Sequence, residues 1–152
     1  MECTSTNLTY GQTGYFSKIV SDYINQAPAL QSFYKFPVSM EGISASIKAR
    51  QQHQGNRALL VQELTRQYVQ LPPHDLVHQN IQKLSDSRTF TICTAHQPCI
   101  FTGNLFFVYK ILHAVKLAKQ CKEAMPEFDF VPVYYMGSED AEFAELNHTY
   151  VN

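Results

Sequence analysis

The spacing of apolar residues predicts helices throughout the first part of the chain. In the clearest of them, five residues recur at helical spacing along one face: Leu59, Leu60, Leu64, Tyr68 and Leu71. Pro72 and Pro73 end this run, because proline cannot continue a helix. Similar spacing predicts a short helix capped by Ser17, one over about residues 40–52 and one over about residues 74–84. We therefore expect residues 1–88 to form an N-terminal helical segment.

From Thr89 onward the pattern predicts a strand, a helix and a second strand. The strands are expected over about residues 89–94 and 130–136, and the nearly continuous apolar run of the second is typical of a buried parallel strand. The helix should run from about 104 to 121, with an inward face of five residues: Leu105, Val108, Leu112, Val115 and Ala118. This order is a βαβ unit, so we predict an α/β fold for residues 89–152. Since a third strand only starts at about 149–152, we expect the sheet to be truncated and the chain to be the front part of a larger protein.

Polar loops follow both predicted strands. Ligands of open α/β sheets bind beyond the carboxyl ends of the strands, so these loops are the candidate site. The first loop supplies His96, Gln97, Thr102, Gly103 and Asn104, and the second supplies Ser138, Glu139, Asp140 and Glu142, followed by Asn147 and His148. Neutral donors at a helix start suit a phosphate group. Paired carboxylates suit an amine, a sugar hydroxyl or a metal bridged to phosphate.

Each of these residues also has an ordinary structural interpretation. His96 could hydrogen-bond a neighbouring carbonyl, Asn104 could cap the helix, and Gly103 could ease the turn. The acidic run at 138–140 is also typical of a helix start. Taken singly, none of them identifies a site, and the argument depends on both loops reaching one edge of the sheet.

Composition excludes several classes of protein. The 152 residues are 45% hydrophobic and 16% charged, which is typical of a globular chain and not of a disordered one. The net charge of −1 creates no field that would attract nucleic acid or a membrane surface. No apolar run approaches the length of a membrane span and no secretory pattern begins the chain, so we expect a cytoplasmic protein with neither partner. The four cysteines are expected to be free thiols.

Cys93, His96 and Cys99 form a Cys-x2-His-x2-Cys array that raises the question of zinc. We do not predict a metal, because Cys93 lies inside the first strand, where it should pack as a small apolar residue, and a fourth ligand is missing. The chain also has no Walker loop and no Gly-x-Gly-x-x-Gly motif, which weakens any prediction of a P-loop or dinucleotide site.

Longer stretches of the sequence resemble one known family. The segments TAHQPCIFTGNLFFVYKILHAVKLAKQ and FDFVPVYYMGSEDAEFAELNHTYV are similar to the bacillithiol biosynthesis cysteine-adding enzymes, the BshC family. The upstream segments GQTGYFSKIVSDYINQ and NRALLVQELTRQYVQL are similar to that family's N-terminal region. The resemblance runs from about Tyr10 to Asn152, and its specificity lies in the ordered set of motifs.

This resemblance implies a fold, an activity and partners. It implies a Rossmann-like core related to nucleotidyl transferases, and a ligase that joins cysteine to glucosaminyl-malate. Family members are several times longer and form a homodimer through a coiled coil, so we expect a dimer only for a full-length form. The fold relationship also suggests that ATP activates the cysteine carboxylate. On this basis the 152-residue chain alone should be inactive.

The family's motifs fall on specific residues here. His96-Gln97 matches a Gly-His-Gln or Gly-Gln-Gln turn, and Phe101 to Gly103 matches Phe-Thr-Gly. Tyr-Lys, Ser/Thr-Glu-Asp and Asn-His motifs fall at 109–110, 138–140 and 147–148. Three residues depart from the pattern: Ala95 replaces a glycine, Asn104 a common proline, and Ala141 a frequent histidine. Ala95 would be strained if its position needed a positive φ.

The resemblance suggests roles for the ten candidate residues. In the hypothesis it supports, His96 stabilises phosphate charge together with a nucleotide-binding set formed by Gln97, Thr102, Gly103 and Asn104. Glu139 and Asp140 hold the glucosamine amine or hydroxyls and help remove a proton, and Ser138, Asn147 and His148 complete the substrate site. Two alternatives stay open: an inactive fragment or non-catalytic nucleotide-binding module, and a different nucleotidyl-transferase-like enzyme.

Overall fold

The computed structural model describes residues 4–53, 55–140 and 142–148, with the side chains at 102, 140 and 145 left out of the description. The chain divides into two compact units, Met1–Gln52 and His53–Asn152. Helices that the sequence analysis assigned to the N-terminal segment therefore lie in both units. The domain boundary expected at residues 88 and 89 stays a prediction.

The first unit is helical, as the apolar spacing predicted. It contains α1 (Tyr10–Thr13), α2 (Lys18–Ile24), a 3-10 turn (Pro28–Phe33) and α3 (Met40–Arg50). Ser17 precedes α2, but its side chain makes no capping hydrogen bond. The start of α3 is fixed more firmly: Ser39 Oγ accepts a hydrogen bond from Gly42 N at 3.1 Å. A Cβ at Gly42 would lie 2.0 Å from the Pro37 carbonyl oxygen, so only glycine fits there.

The second unit contains the predicted strand–helix–strand order. Its elements are α4 (Arg57–Tyr68), α5 (Asp75–Lys83), β1 (Thr89–His96), α6 (Leu105–Ala124), β2 (Asp129–Met136) and α7 (Phe143–Leu146). Two 3-10 turns, Ile100–Thr102 and Ser138–Asp140, follow the strands. β1 and β2 pair in parallel, from Thr89 opposite Asp129 to His96 opposite Met136. The βαβ prediction is confirmed. Within the described residues, no helix combines the length and apolar character needed to cross a membrane.

β1 extends two residues beyond its predicted end at Thr94. The ladder with β2 continues through Ala95 opposite Tyr135 and His96 opposite Met136. The apolar pattern did not predict this extension, because His96 is polar and its pairing depends on the partner strand. As a result His96 lies at the last position of the strand and not in the loop after it.

The buried face of α6 differs from the predicted one. Ala114, Ala118 and Cys121 are buried on this helix, and Cys121 is fully inaccessible. Of the predicted face, Ala118 is buried, whereas Leu105 and Leu112 are 67% and 57% exposed. α6 contacts both strands. Small side chains at the contact let the helix lie close to the two-stranded sheet. The close packing gained in this way outweighs the stabilisation that burying the larger leucines would give.

Arg57 connects the helices of this unit to the sheet. Its guanidinium donates to the Leu84 carbonyl oxygen at 2.9 Å and to the Thr89 carbonyl oxygen at 3.2 Å. Leu84 and Thr89 are both buried, at 4% and 2% exposure. Hydrogen bonds from a charged donor to buried carbonyls are stronger than neutral ones. The start of α4 is thereby tied to the end of α5 and the beginning of β1.

Candidate functional site

The carboxyl ends of β1 and β2 hold the two polar loops together. The His96 carbonyl oxygen accepts from Gly137 N and from the Tyr134 hydroxyl, each at 3.0 Å. Gly137 begins the loop after β2, so the last residue of β1 is bonded directly to the second loop. The structure therefore brings the two predicted loops to one edge, as expected for parallel strands.

An open cleft of about 380 Å³ lies at this edge. Ala95 and His96, at the end of β1, and Gln97, just after it, line one part of the cleft, and Lys110 lines it from α6. Tyr135, Gly137 and Glu139 line the side formed by β2 and the following turn. The volume falls within the range of small-molecule sites. The cleft thus collects an imidazole, an amide, an ammonium, a phenol and a carboxylate.

A second cavity, of about 260 Å³, lies beside α4 and α5. It is lined mainly by apolar residues, among them Tyr68, Leu71 and Ile81, with His74 and His78 at its margin. It contains no carboxylate, lysine or arginine among its lining residues. Of these two cavities, the cleft at the sheet edge is the one lined by charged side chains, Lys110 and Glu139.

The His96 ring is half-buried and held in one orientation. Its Nδ1 lies 2.9 Å from the Gln97 carbonyl oxygen and 3.7 Å from Cys99 Sγ. The ring also packs against Phe106 and Phe107, with centroids 5.0 and 5.7 Å away. A carbonyl oxygen only accepts, so Nδ1 carries the proton in this contact. In the neutral ring Nε2 is then the basic nitrogen, the one able to accept a proton.

Tyr135 and Glu139 form a hydrogen-bonded pair across the start of the second loop. The Tyr135 hydroxyl donates to Glu139 Oε1 at 2.9 Å. The pKa of Glu139 is lowered, first by a hydrogen bond from its own backbone and then by Tyr135. The pKa of Tyr135 is raised, because ionisation would break this bond and place a second negative charge beside the carboxylate. At neutral pH the pair is a carboxylate beside a protonated phenol.

Lys110 reaches the cleft from the second turn of α6. Its Nζ donates to the Ala95 carbonyl oxygen at 3.1 Å and lies 5.7 Å from the centre of the Phe106 ring. Both contacts orient the ammonium group, and neither neutralises its charge. The cleft therefore presents a positive charge from α6 and a negative charge, Glu139, from the turn after β2.

Comparison with known proteins identifies the family. The model of the family described as "Bacillithiol biosynthesis BshC, N-terminal Rossmann-like domain" matches residues 1–152. The chain belongs to the BshC family. The fold prediction is thereby confirmed: the parallel βαβ unit is part of the BshC Rossmann-like domain.

Several curated BshC proteins are similar to this chain. A relative from Flavobacterium psychrophilum is 39% identical over 144 residues, which is 93% of this chain and 27% of the relative. One from Cytophaga hutchinsonii is 43% identical over 136 residues, 90% of this chain and 26% of the relative. A Bacillus mycoides relative is 29% identical over 133 residues, 88% of this chain and 24% of the relative. Each is named "Putative cysteine ligase BshC". The chain spans about a quarter of the length of these BshC relatives.

The structure brings some of the predicted BshC site residues together and leaves others apart. His96, Gln97 and Glu139 line the cleft. The remaining described candidates are not among its lining residues: Gly103, Asn104, Ser138, Asn147 and His148. The side chains of Thr102 and Asp140 lie outside the described part of the structure. The functional roles of all ten residues stay predictions.

The loop between β1 and α6 has a constrained backbone. Gly103 has φ +62°, and a Cβ there would lie 2.6 Å from the Cys99 Cβ. Phe101 also has a positive φ, of 48°, which is unusual for a bulky residue. Asn104 lies at the N-cap position of α6, but its side chain makes no capping hydrogen bond. The structural interpretation of Gly103 is supported, whereas the expectation that Asn104 caps through its side chain is wrong.

Two of the three departures from the BshC pattern, Ala95 and Asn104, lie in the described structure, and each suits the backbone conformation at its position. Ala95, where the family usually has glycine, lies in the extended backbone of β1, so alanine is not strained there. Ala141 lies outside the described residues. Asn104 begins α6 with an extended backbone, a conformation that suits the residue before a helix.

The cysteines lie in different surroundings. Cys93 is an exposed thiol, so the expectation that it packs inside the strand is wrong: the face of β1 that carries Cys93 is uncovered by the described residues. Cys99 contacts His96, as described above, and Cys121 is buried. Burial raises the pKa of the Cys121 thiol. Among the described residues, no three His, Cys, Asp or Glu side chains are arranged to hold a metal ion.

Two cleft residues were missed as site residues from the sequence. Lys110 was noted within a BshC motif but lies outside the predicted inward face of the helix, and Tyr135 was counted only as part of an apolar strand. The position of each residue in its predicted element could have indicated that it lies near the site. Tyr135 is the next-to-last residue of β2, at the carboxyl edge, and Lys110 lies in the second turn of a helix that begins beside the same edge.

Proposed function

We propose that this chain is the N-terminal domain of a cysteine ligase that joins cysteine to glucosaminyl-malate in bacillithiol biosynthesis. The observation that carries the proposal is one cleft, at the carboxyl edge of a parallel sheet, that holds both His96 and Glu139. Membership of the BshC family and the names of the relatives support the same reaction.

Amide formation makes two demands that these residues suit. The carboxylate of cysteine must be activated, because its oxygen is a poor leaving group, and negative charge then builds up beside it. His96, positioned by the Gln97 carbonyl and two phenylalanine rings, is placed to stabilise that charge or to take up a proton at Nε2. Its orientation is fixed before any ligand binds, which avoids reorganisation during the reaction.

The amine of glucosaminyl-malate must also be held next to the activated carboxyl group. Glu139 suits this role, because its lowered pKa keeps it ionised and able to hold an ammonium group. The same lowered pKa makes Glu139 a weak base. We therefore assign it to binding and orientation, and assign proton uptake to His96. Asp140, in the same turn, remains part of the proposed amine site.

The start of α6 fits a phosphate group, as an ATP-dependent activation requires. The first N–H groups of a helix have no partner within it, and Asn104 provides no side-chain cap here. In this proposal the backbone N–H groups at 104 and 105, with Gln97 and Thr102, hold phosphate oxygens, since the N–H of Gly103 already donates to the Ile100 carbonyl oxygen. ATP, when bound, supplies the group that turns a carboxylate oxygen of cysteine into a leaving group.

The test is a mass-spectrometric assay for bacillithiol with cysteine, glucosaminyl-malate and ATP. The assay compares this chain with a version extended by any coding sequence that continues it. We expect product only from the extended version, because the relatives are about four times as long. Omitting ATP should abolish the product. If neither version forms product, the ligase proposal fails, while family and fold stand.

The role of His96 is tested in whichever version is active. His96→Ala should lower turnover by roughly 100-fold or more, since one positioned acid–base or charge-stabilising group typically contributes that much. His113→Ala is the matched control, because His113 is an exposed histidine of α6 that does not line the cleft. Equal turnover in the two variants would remove His96 from the mechanism.

A further inference from the structure

The cleft contains two opposite charges that do not neutralise each other. Lys110 and Glu139 both line it, yet the ion pairs of the described residues involve neither of them. Each is held by a neutral partner instead: Lys110 by the Ala95 carbonyl oxygen at 3.1 Å, and Glu139 by the Tyr135 hydroxyl at 2.9 Å. These hydrogen bonds orient two opposite charges that line one cleft.

Both groups keep free hydrogen-bonding capacity for a ligand. An ammonium group has three donors, and one of the three on Lys110 is used by Ala95. A carboxylate has about four acceptor positions, and Tyr135 occupies one of those on Glu139. A molecule that carries both a carboxylate and an amine could pair with Lys110 and Glu139 at once. A ligand with only one of these groups would leave the other side chain without a charged partner.

We propose that Lys110 binds a carboxylate of the same substrate whose amine is held by Glu139, so that this cleft selects an amino compound carrying an acidic group. The identification of that substrate as glucosaminyl-malate, through its malate carboxylates, rests on the proposed function. Tyr135 is a positioning residue in this scheme, since it orients Glu139. Lys110 is the residue that distinguishes an acidic amino sugar from a neutral one.

Cysteine also carries an amine and a carboxylate, but it suits this cleft less well. Its carboxylate has to act as a nucleophile during activation, and an ion pair with Lys110 would stabilise the unreacted form. The malate carboxylates are unchanged by the reaction, so pairing them with Lys110 holds the substrate without opposing the chemistry. The charge pattern therefore favours glucosaminyl-malate as the occupant.

The experiment measures dissociation constants of this chain by NMR titration for glucosaminyl-malate, for glucosamine and for malate. Lys110→Met should weaken binding of glucosaminyl-malate and malate about tenfold or more and leave glucosamine unchanged. Glu139→Gln should show the converse pattern, weakening glucosaminyl-malate and glucosamine but not malate. Lys116→Met is the control, because it removes a lysine from the exposed side of the same helix.

A second substitution at Lys110 separates the loss of the positive charge from a loss of folding. Lys110→Arg keeps the positive charge and should retain most of the affinity, so a defect in Lys110→Met alone cannot be attributed to the changed helix surface. The proposal is overturned if glucosaminyl-malate does not bind, or if Lys110→Met binds it as tightly as the unaltered chain. It is also overturned if Lys110→Met weakens binding of ATP but not of glucosaminyl-malate, since Lys110 would then hold phosphate.

Failure of the proposed function would give a different combination of assay and binding results from failure of the role proposed for Lys110. If the bacillithiol assay is negative while the three ligands and two variants show the expected binding pattern, the cleft recognises acidic amino sugars in a protein with another activity. If the assay is positive and Lys110→Met binds normally, the ligase assignment stands and the role of Lys110 is wrong.

Discussion

At the scale of single residues, two hydrogen bonds tune the acidic group of the cleft: one from the backbone of Glu139 and one from Tyr135. Tyr135 donates to Glu139, and this bond is one of two causes that lower the pKa of the carboxyl group. Because this pKa is lower in the folded chain than in the unfolded one, the carboxylate's stabilising contribution is present above the ordinary pKa. It is lost as pH falls through the lower value. The phenol thus extends the pH range over which Glu139 can hold a cation.

Tyr135→Phe should therefore shift the titration of Glu139 toward higher pH. The backbone hydrogen bond remains in this variant, so the pKa should rise only part of the way to its ordinary value. Binding of glucosamine should then be lost at a higher pH when the solution is acidified. The ¹³C carboxyl shift of Glu139, followed by NMR across pH, measures this directly. Tyr109→Phe, which alters an exposed tyrosine of α6, should leave the titration in place, and an unchanged midpoint in Tyr135→Phe would contradict the argument.

The loop before α6 depends on a single glycine. Gly103 has a positive φ, and a side chain there would collide with Cys99. Gly103→Ala should lower the free energy of unfolding by about 1–3 kcal/mol, the usual cost of a side chain in a strained backbone conformation. Urea denaturation measures the change. Gly55→Ala is the control, because a Cβ at Gly55 meets open space. Equal stability of the two variants would mean that the loop adjusts freely.

How far the site could be predicted from sequence depends on the residue. His96, Gln97 and Glu139 could be predicted to lie together, because polar residues at or just beyond the carboxyl ends of parallel strands meet at one edge. Lys110 and Tyr135 were not placed there, because Lys110 lies on a helix and Tyr135 belongs to an apolar strand whose last residues were not counted as part of the edge. Their positions depend on how closely α6 packs on the sheet and on where the ladder ends, which are tertiary properties.

At the scale of elements, apolar spacing identified the helices and strands but not the buried side of α6. This helix carries large apolar residues on more than one face, so the period alone cannot choose among them. Which face is buried depends on how well the helix packs against the strands, where Ala114 and Ala118 allow close approach. The carboxyl end of β1 was underestimated for a related reason: pairing with β2 extends the strand to His96, a polar residue that no apolar pattern would include.

A pair of substitutions on α6 tests which face packs on the sheet. Ala114→Leu adds volume at a position that is only 6% exposed, and it should cost about 1–3 kcal/mol of unfolding free energy through overpacking. Leu112→Ala removes volume at a position that is 57% exposed, and it should change stability by about 0.5 kcal/mol or less. Chemical denaturation of both variants measures these changes in the free energy of unfolding. A larger loss in Leu112→Ala would support the face first predicted from the sequence.

At the scale of the whole molecule, the described sheet leaves apolar surface uncovered. Its two strands pair with each other, and neither pairs with another strand in the described residues, so each presents an outer edge. Large side chains beside these strands are exposed, including Tyr135, Met136 and Leu105. In the BshC relatives the matched region is only about a quarter of the protein. Exposed strand edges of this kind are templates for pairing with another chain.

We therefore expect this chain, studied alone, to self-associate. Its weight-average mass in sedimentation equilibrium should rise above that of a monomer as concentration increases, under reducing conditions that exclude disulfides. Cys93→Lys places a charge on the uncovered face of β1 and should reduce association, since lysine on an edge strand opposes pairing. Gln120→Lys adds the same charge on an exposed part of α6 and should have little effect. A monomer at all concentrations, with a sharp and reversible thermal transition, would show that two strands and their helices form a closed unit by themselves.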